Sequence, residues 1–519
     1  MTPDLVLAVD VGTQSVRAIA FDRHGAVVGR AQVPMEPPFE APQPGWAEKD
    51  PASYWNALVG SVRALWTAGG VRPERIAALA LTTQRGTVVC AVEDGTPLRA
   101  AIVWPDQRLC SEPPPMGAYW RTLFGIAHAG ALLRALQRQA EANWLAQHEP
   151  AMWQRCERFT LLSGWLTHAL VGDWVDSAAC QVGYLPFDYK RHQWAEAREW
   201  QWKALAIRES QLPRLVAPAS SLGTLTAAAA ETLGLPRGLS VIAAAADKAC
   251  EVLGCGALEP DTAHLSFGTA ATINTTQPSY LEVQRLLPAY PGAVPGTFNT
   301  EIQIERGFWL VSWFKNEFAH GERALAAERG VSAESLFDAL IASVPPGSMG
   351  LTLQPYWSPG LREPGPEAKG AIIGFGGVHT RAHLYRAMIE GLAYGLRAGR
   401  ELIEKRTKRP ITRLVISGGG AQSDGAMQIA ADVFGLAAER PRVAEASSLG
   451  AAMLAATGLG WYPDATSAAR AMSRSESRFE PDPAAVRTYD ALYREVYRPM
   501  YARLAPLYRR IRAITGYPA

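Results

Sequence analysis

Residues 5–22 constrain the fold more than any other stretch of this sequence. An apolar run over residues 5–9 ends at Asp10, a short polar turn follows, and a second, largely apolar run covers residues 16–21. Apolar runs of this length on both sides of a glycine turn predict two antiparallel strands joined by a tight turn. The first sheet is therefore expected to contain a hairpin with an aspartate at the end of its first strand.

The turn of this hairpin has the composition of a phosphate and metal site. It contains Gly12, Thr13, Gln14 and Ser15. Glycine lets the backbone approach a ligand with no Cβ in the way, and the hydroxyls and N–H groups of such a turn can face a phosphate. A carboxylate such as Asp10 can hold a hydrated magnesium ion. An ordinary glycine turn beside a solvated aspartate is the alternative interpretation.

Length and composition limit the classes of protein to consider. At 519 residues two or more domains are expected, and 48% hydrophobic with 19% charged residues is typical of a soluble globular protein. A net charge of +2 gives a nucleic-acid partner no electrostatic support. The N-terminus lacks a basic region, the long uncharged stretches are polar or broken by glycine, and the six cysteines include no CxxC pair. These features favour a cytoplasmic protein with no membrane partner and no zinc site.

Hydrophobic periodicity predicts an α/β organisation. Strands are expected over residues 26–33, 76–83 and 239–246, a helix over residues 50–68, and a mostly helical insertion over residues 112–240. A strand over residues 262–266 leads into Gly268 and Thr269, which repeats the opening pattern of a strand followed by a Gly-Thr turn. This repeat predicts an internal duplication. The last predicted element is a helical tail over residues 483–512 with a solvated, charged face.

Four strand ends carry sequences suited to ligands. Three are glycine turns, at Gly12, Gly268 and residues 418–420, and the fourth is the isolated acid Asp247. Ligands of sheet-based folds bind beyond the strand ends, so these four points are expected to converge on one cleft. Two Gly-Thr turns can clamp the phosphates of a nucleotide, and a triple glycine can lie against an adenine or a ribose.

This ordered set of motifs resembles that of the FGGY carbohydrate kinases, which belong to the superfamily of sugar kinases, actin and heat-shock chaperone ATPases. The resemblance covers nearly the whole chain. It is carried by Asp10-Val-Gly-Thr-Gln-Ser15, Thr83-Gln-Arg-Gly86, Trp104-Pro-Asp-Gln-Arg108, Ala246-Asp-Lys248, Ser266-Phe-Gly-Thr269, Gly374-Phe-Gly-Gly377 and Ser417-Gly-Gly-Gly-Ala421. It implies an α/β fold of two ribonuclease H-like, actin-like ATPase domains with a cleft between them. Residues 1–250 would form the sugar-binding domain with the helical insertion, and residues 251–519 the ATP-binding domain with the helical tail.

The same resemblance implies an ATP-dependent kinase that uses ATP and Mg²⁺ and acts on a small sugar or polyol. Asp247 would be the general base, because a sugar hydroxyl is a poor nucleophile and needs a fixed acceptor for its proton. Asp10 would organise the magnesium ion. The phosphates would contact Gly12, Thr13, Gln14, Ser15, Gly268 and Thr269, and the adenosine would contact Gly419, Gly420 and Asp424. A helix N-cap is the alternative interpretation of Asp247.

Substrate contacts are expected from residues 83–86 and 104–108, which we call the substrate strip. A guanidinium that donates several hydrogen bonds, a carboxylate that accepts them and an aromatic ring that packs against C–H groups together suit a polyhydroxylated molecule. The residues expected to bind the substrate are Gln84, Arg85, Trp104, Asp106 and Asp247. The alternatives are a surface cation for Arg85 and a plain core residue for Trp104.

The sequence departs from the family within this strip. Glycerol kinases carry an Arg-Glu pair where this chain has Arg85-Gly86, xylulokinases typically carry Met-His, and a family lysine near Trp144 is replaced by Glu141. A ketopentose such as xylulose, or a related sugar alcohol, is the expected substrate, and a glycerol kinase-like activity is the alternative. Gly86 either leaves room for a substrate larger than glycerol or only serves a turn.

Two other functions are compatible with this kind of fold. One is an actin-like ATPase that binds or polymerises without modifying a small molecule, and the other is a kinase-fold protein that senses a sugar. Neither would need the substrate strip together with the acid Asp247. The sequence leaves open whether the protein forms a homo-oligomer.

Overall fold

The protein, described here from a computed structural model, divides into two compact units. The described residues are 3–67, 70–284, 287–360 and 364–517. The first unit comprises Met1–Gly256, Gln277–Asn299 and Glu445–Ser473, and the second comprises Ala257–Thr276, Thr300–Ala444 and Arg474–Ala519. The division after Gly256 lies near the predicted boundary at residue 250. The segments Gln277–Asn299 and Glu445–Ser473, which the prediction placed in the second domain, make most of their contacts within the first unit.

The strands are short, and none of those in the described residues exceeds eight residues. Those up to residue 256 are β1 Leu5–Val11, β2 Ser15–Phe21, β3 Val27–Pro34, β4 Glu48–Lys49, β5 Ile76–Thr83, β6 Val88–Ala91, β7 Ala101–Ile102, β8 Arg158–Leu161, β9 Val175–Ser177, β10 Phe187–Asp188, β11 Gln193–Trp194, β12 Arg214–Val216, β13 Ser221–Thr224 and β14 Ser240–Ala243. Those after residue 256 are β15 Thr262–Phe267, β16 Ala271–Gln277, β17 Tyr290–Pro291, β18 Phe298–Ile304, β19 Thr352–Gln354, β20 Ala371–Ile373, β21 Arg413–Ser417, β22 Ala438–Pro441 and β23 Ser475–Phe479.

Helices separate these strands along the chain. They are α1 Pro51–Thr67, α2 Ala118–Ile126, α3 Gly130–Gln139, α4 Glu141–His148, α5 Pro150–Arg155, α6 Leu162–Val171, α7 Gln201–Ala204, α8 Ala227–Leu233, α9 Asp247–Gly254, α10 Trp309–Glu317, α11 His320–Arg329, α12 Phe337–Ala342, α13 Arg381–Thr407, α14 Asp424–Phe434, α15 Ala446–Gly458, α16 Ala465–Met472, α17 Pro483–Leu492 and α18 Arg498–Thr515. Of the helix predicted over residues 50–68, Ala68 lies outside the described residues. Among the helices of the described chain, none has the length and apolarity needed to cross a membrane.

The predicted helical insertion is only half helical. Helices α2–α6 lie between residues 118 and 171, but residues 175–239 contain the five short strands β9–β13 and only the two short α-helices α7 and α8. Phe187 and Leu205 from this stretch lie in a core that they share with Phe159 of β8. Aromatic and leucine residues pack equally well in short strands and helices, so composition alone misassigned this stretch.

Each unit contains a central sheet of the same strand order. In the first unit the order is β13-β14-β5-β1-β2-β3, with β1 parallel to β5, β5 parallel to β14, and β1 antiparallel to β2. In the second sheet the corresponding order is β23-β22-β21-β15-β16-β18, with β15 parallel to β21, β21 parallel to β22, and β15 antiparallel to β16, and a seventh short strand, β17, pairs with β18. The edge strands β13 and β23 are both antiparallel to their neighbours. The two sheets therefore repeat one topology, as the predicted internal duplication requires.

The helix that begins at Asp247 packs against α15 through two glycines. A Cβ on Gly254 would lie 2.0 Å from the carbonyl oxygen of Ala446, and a Cβ on Gly450 would lie 1.9 Å from that of Cys250. Both distances are far below van der Waals contact, so only glycine allows the two helix backbones to approach this closely. This packing holds α9 against the sheet of the first unit.

We expect the substitution Gly450→Ala to destabilise the protein, because the added methyl group would displace the backbone of α9. Overpacking of this kind typically costs about 1–3 kcal/mol. Thermal unfolding measures the effect as a lowered Tm. Gly321→Ala is the matched control, since Gly321 also lies in a helix and a Cβ there would meet no atom within 4 Å. Equal melting temperatures for the two variants would contradict this account of the packing.

Candidate active site

Parallel strand pairing brings the two predicted acids of the first unit to one edge of its sheet. Asp10 lies near the end of β1, Asp247 follows β14, and β5 lies between these two strands. The hydroxyl of Thr82 in β5 donates to the carbonyl oxygen of Ala245, at 2.8 Å. Because the carboxyl ends of parallel strands meet at the same edge, these acids and the substrate-strip residues after β5 are neighbours.

Asp247 is paired and partly buried. Its Oδ1 lies 3.8 Å from Nε of Arg85 and accepts a hydrogen bond of 2.7 Å from the backbone N–H of Lys248. Burial raises the pKa of the carboxyl, and the nearby charges of Arg85 and Lys248 lower it. The N-cap of α9 is Ala246, so Asp247 is the first helical residue and the N-cap interpretation is wrong.

Asp10 is buried near a second acidic group. Burial raises its pKa to about 6, the charge of Arg17 lowers it, and the carboxylates of Asp247 and Glu251 raise it. The guanidinium of Arg17 lies 3.5 Å from Oδ2 of Asp10. The alternative of a solvated aspartate is therefore wrong. Within the described ranges, no group of three or more His, Cys, Asp or Glu side chains has a metal-ligating arrangement.

The hairpin turn is joined to the substrate strip through the hydroxyl of Thr13. This hydroxyl donates to Oε1 of Gln84 and accepts a hydrogen bond of 2.9 Å from the indole N–H of Trp104. The amide of Gln84 in turn donates to the hydroxyl of Tyr54, at 3.0 Å. The turn itself is closed by a hydrogen bond of 3.1 Å from the N–H of Gly12 to the carbonyl of Ser15. Of the remaining turn residues, Gln14 is exposed and Ser15 is buried.

Two alternatives for the substrate strip are wrong. Trp104 is 47% exposed and is not a core residue. Arg85 is not a surface cation, because its side chain is only 19% exposed and its guanidinium lies 5.3 Å from the ring centre of Tyr290. Both side chains therefore lie at the sheet edge that carries Asp247, and both have groups suited to a polar ligand.

Asp106 has a different role from the one predicted. Its carboxylate accepts hydrogen bonds from the backbone N–H of Ala47 and from the backbone N–H, Nε and Nη2 of Arg108, at 2.7–2.9 Å. Its side chain is only 5% exposed. Each carboxylate oxygen of Asp106 therefore accepts two hydrogen bonds, which occupy the acceptor positions of the group. Asp106 therefore stabilises the turn that carries Trp104 and has no position left for a sugar hydroxyl.

Gly86 adopts the left-handed backbone region, with φ of +66°. Glycine favours this conformation, so the turn alone accounts for the residue type. A Cβ at this position would lie 3.6 Å from Cβ of Trp104, which is an ordinary contact distance. Space for a side chain is therefore present, and the two interpretations of Gly86 both stay open.

Tyr290, which the sequence reasoning missed, lies beside Arg85, whose guanidinium is 5.3 Å from the centre of its ring. The rings of Tyr189 and Tyr290 meet edge to face at 6.0 Å between centres. Burial raises the pKa of Tyr189, Tyr290 and Tyr184 also raise it, and the charge of Arg85 lowers it. Tyr290 is distant in the sequence from Arg85 and Tyr189, and these tyrosines belong to no motif, so no local signal marks them.

In the second unit the turn after β15 holds the start of α10. The carbonyl oxygen of Gly268 accepts from the N–H of Phe308 at 3.0 Å, and that of Thr269 accepts from the N–H of Trp309 at 3.2 Å. Thr269 is exposed. Because these carbonyls face α10, the side chain and N–H groups of the turn are the groups left for a ligand.

The triple glycine after β21 is required partly by packing. Gly418 has φ of +90°, and a Cβ on Gly420 would lie 2.2 Å from the ring of Phe308. Gly419, by contrast, is exposed and has no atom within 4 Å of its Cβ position. Only Gly419 therefore offers an open backbone to a ligand.

Asp424 lies at the start of α14 after this loop. Its carboxylate is 71% exposed and accepts a hydrogen bond of 2.6 Å from Nη2 of Arg440. Its backbone N–H donates to Asp338 at 3.0 Å. An exposed carboxylate held by an arginine can accept from a ligand hydroxyl.

Comparison with known proteins identifies the family of this chain. The N-terminal domain of the FGGY family of carbohydrate kinases matches residues 5–254, and its C-terminal domain matches residues 263–459. A glycerol kinase from Dechloromonas aromatica is 33% identical over 95% of this chain and 96% of its own length. A xylulose kinase from Staphylococcus epidermidis is 28% identical over 99% of this chain and 100% of its own length.

A solved structure shows the same fold over the same extent. The crystal structure of xylulose kinase from Rhodospirillum rubrum matches with a TM-score of 0.79 and 29% identity, over 98% of this chain and 100% of that one. Both domain matches together cover most of the sequence, and the relatives are aligned along their full lengths. This chain belongs to the FGGY family of carbohydrate kinases and is a phosphotransferase with an alcohol group as acceptor.

Proposed function

We propose that this kinase transfers the γ-phosphoryl group of ATP to a hydroxyl of a sugar or polyol larger than glycerol, with a ketopentose such as xylulose as the best candidate. The observation that carries the proposal is the pair Arg85-Gly86 beside Asp247. The guanidinium of Arg85 can donate hydrogen bonds to two adjacent substrate oxygens. The next position has no carboxylate that would accept from the hydroxyls of a short triol, and relatives of this chain include both xylulose and glycerol kinases.

Asp247 is proposed as the general base. Its carboxylate accepts the proton of the substrate hydroxyl while that oxygen attacks the γ-phosphorus and the bond to the ADP oxygen breaks. Partial burial raises the pKa of Asp247 and so strengthens it as a base, whereas the positive charges of Arg85 and Lys248 keep it ionised. A base needs both properties, since it must be deprotonated at rest and must hold a proton in the transition state.

Asp10 fits the requirements of a magnesium site. Magnesium is usually held by one or two protein carboxylates, with water and substrate phosphates completing its shell. Burial disfavours the charge on Asp10, and its nearest cation, in Arg17, lies at the long distance of 3.5 Å. A divalent cation would offset this cost and would supply charge neutralisation for the transferred phosphoryl group. Asp10 would hold it, alone or through water.

The glycine turns are proposed to hold ATP. The phosphates would contact Gly12, Thr13, Gln14, Ser15, Gly268 and Thr269. The adenosine would contact Gly419, Gly420 and Asp424, of which Gly419 has the open backbone and Asp424 the exposed carboxylate. Thr13 supports a coupling between ATP and substrate, because its hydroxyl is bonded to both Gln84 and Trp104.

Sugar binding is proposed for Gln84, Arg85 and Trp104. The exposed indole of Trp104 offers a flat apolar wall for the C–H face of a sugar, and its N–H is already oriented by Thr13. Tyr290, beside the Arg85 guanidinium, is added to this set.

Glu141 lies near the turn of the substrate strip and is a second unusual acid. Its Oε2 is buried and accepts no hydrogen bond from the described residues. The pKa of Glu141 is raised to about 8, mainly by burial and to a smaller extent by the charge of Asp106, against the lowering effect of Arg108. The side chain is therefore mainly a neutral acid at pH 7, with a proton that it can donate.

We expect Asp247→Asn to abolish sugar phosphorylation and to leave ATP affinity nearly unchanged. Loss of a general base typically lowers the rate by about 10²–10⁴-fold. A coupled assay of ADP release over a panel of ketoses, aldoses and polyols measures turnover, and calorimetry measures ATP binding. Asp173→Asn is the control, because that aspartate is exposed and pairs with Arg214. Turnover of Asp247→Asn close to that of the control would assign the base elsewhere.

We expect Gly86→Glu to shift the preference toward small polyols. A charged acceptor gained beside Arg85 is worth about 1.5–3 kcal/mol in hydrogen bonds, or roughly ten- to a hundredfold in kcat/KM for a triol. Gly86→Asn is the control for backbone strain, since asparagine tolerates a positive φ. The measurement is the ratio of kcat/KM for glycerol to that for the best ketose in both variants. Glycerol as the best substrate of the wild type would overturn the substrate proposal and leave the kinase assignment intact.

We expect Glu141→Gln to become more stabilising as the pH rises. The folded pKa of about 8 exceeds the ordinary value of 4.5, so the native state retains a proton that the unfolded state releases. The stability that this proton gives the native state is lost as the pH rises from about 4.5 to 8, and glutamine has no such proton to lose. The Tm of the variant minus that of the wild type should therefore grow across this range and level off above it. The exposed Glu231→Gln should show no such trend, and a flat difference for Glu141→Gln would contradict the buried, neutral state of Glu141.

A further inference from the structure

A buried carboxylate outside the site already described controls the segment over residues 177–182. Asp176, in β9, is 2% exposed. Its Oδ2 accepts from the hydroxyl of Ser163 at 2.6 Å and from the amide of Gln181 at 2.8 Å, and its Oδ1 accepts from the N–H of Ser177 at 2.7 Å. Two of these three donors belong to the segment itself, so Asp176 fixes both of its ends.

This segment holds the strand end that carries Asp247. The hydroxyl of Ser177 donates to the carbonyl oxygen of Ala244 at 2.5 Å, and the N–H of Ala246 donates to the carbonyl oxygen of Ala179 at 3.1 Å. Both contacts lie within three residues of the carboxylate proposed as the base. Strand β14 ends at Ala243, so the backbone before Asp247 is held by bonds from this segment and by the bond from Thr82 to Ala245.

The same segment also holds the substrate strip. The N–H of Gly86 donates to the carbonyl oxygen of Val182 at 3.1 Å. Residues 177–182 thus bond the backbone of Ala244 and Ala246 on one side and that of Gly86 on the other. This segment therefore adds a second connection, besides the bond from Thr82 to Ala245, between the backbones that carry Asp247 and Arg85, whose charged groups lie 3.8 Å apart.

We infer that Asp176 and Ser177 are positioning residues for phosphoryl transfer, which set the backbone of Asp247 relative to that of the substrate strip. The inference rests on the proposed role of Asp247 as the base. A base and a substrate hydroxyl have to meet at hydrogen-bond distance, and a displacement of about 1 Å can lower a rate by a hundredfold. Asp176 itself touches neither the base nor the strip, and it acts through the Ser177 and Gln181 bonds.

The test compares Ser177→Ala with Ser163→Ala. Each variant removes one buried serine hydroxyl from this network, but only the Ser177 hydroxyl reaches the strand end before Asp247. We expect Ser177→Ala to lower kcat by about ten- to a hundredfold, with unchanged ATP affinity, and Ser163→Ala to leave kcat near the wild-type value. Tm values of both variants measure the purely structural effect.

A double variant separates positioning from stability. Because Ser177 acts through the base, Ser177→Ala should lower kcat no further when Asp247→Asn is already present. Equal kcat losses for the two serine variants, or an undiminished loss in the Asp247→Asn background, would overturn the inference. If Ser177→Ala yields no folded protein, Asp176→Asn replaces it against the same control. A fully active Asp247→Asn enzyme would refute the proposed base, whereas an inactive one with a fully active Ser177→Ala variant would refute only the positioning role.

Discussion

Parallel pairing of β1, β5 and β14 is the constraint on which the site of the first unit depends. Asp10 pairs with Thr82, and β14 runs beside β5 from Ser240 opposite Ala78. This register places the ends of all three strands at one sheet edge, so residues separated by more than 230 positions in the sequence become neighbours. The apolar residues of the strands bury this arrangement on both faces, and the edge is where polar groups can reach a ligand.

Electrostatics at this edge balance two opposing effects. Burial and the neighbouring carboxylates disfavour the charges on Asp10 and Asp247, whereas Arg17, Arg85 and Lys248 favour them. Lys248 contributes twice, since its backbone N–H bonds Asp247 and its ammonium group donates to Glu251 at 2.7 Å. A proton acceptor and a cation ligand can share a small space only with such compensation, because like carboxylates at short range cannot both ionise freely.

The sequence predicted the strands well and the roles of single side chains less well. Strand and turn residues such as Asp10, Gly12 and Gly268 follow from local periodicity and were located correctly in their elements. Asp106 was assigned wrongly because the saturation of its carboxylate depends on the geometry of Arg108 and Ala47. Tyr290 was missed for a related reason, since its contact with Arg85 joins distant segments, and Asp176 was missed because neither it nor its nearby partners belong to a motif. Periodicity carries no information about which side chains meet in space.

The duplicated topology sets an acid in one sheet against a hydroxyl at the corresponding position of the other. Asp10 in β1 and Ser266 in β15 occupy the same place, two residues before a Gly-Thr turn, and both are buried. A buried serine needs only a hydrogen bond, whereas a buried carboxylate needs charge compensation as well. The buried charge of Asp10 therefore needs a compensating cation that Ser266 does not need. This difference supports the proposal of a magnesium ion at the Asp10 turn and of phosphate contact alone at Gly268 and Thr269.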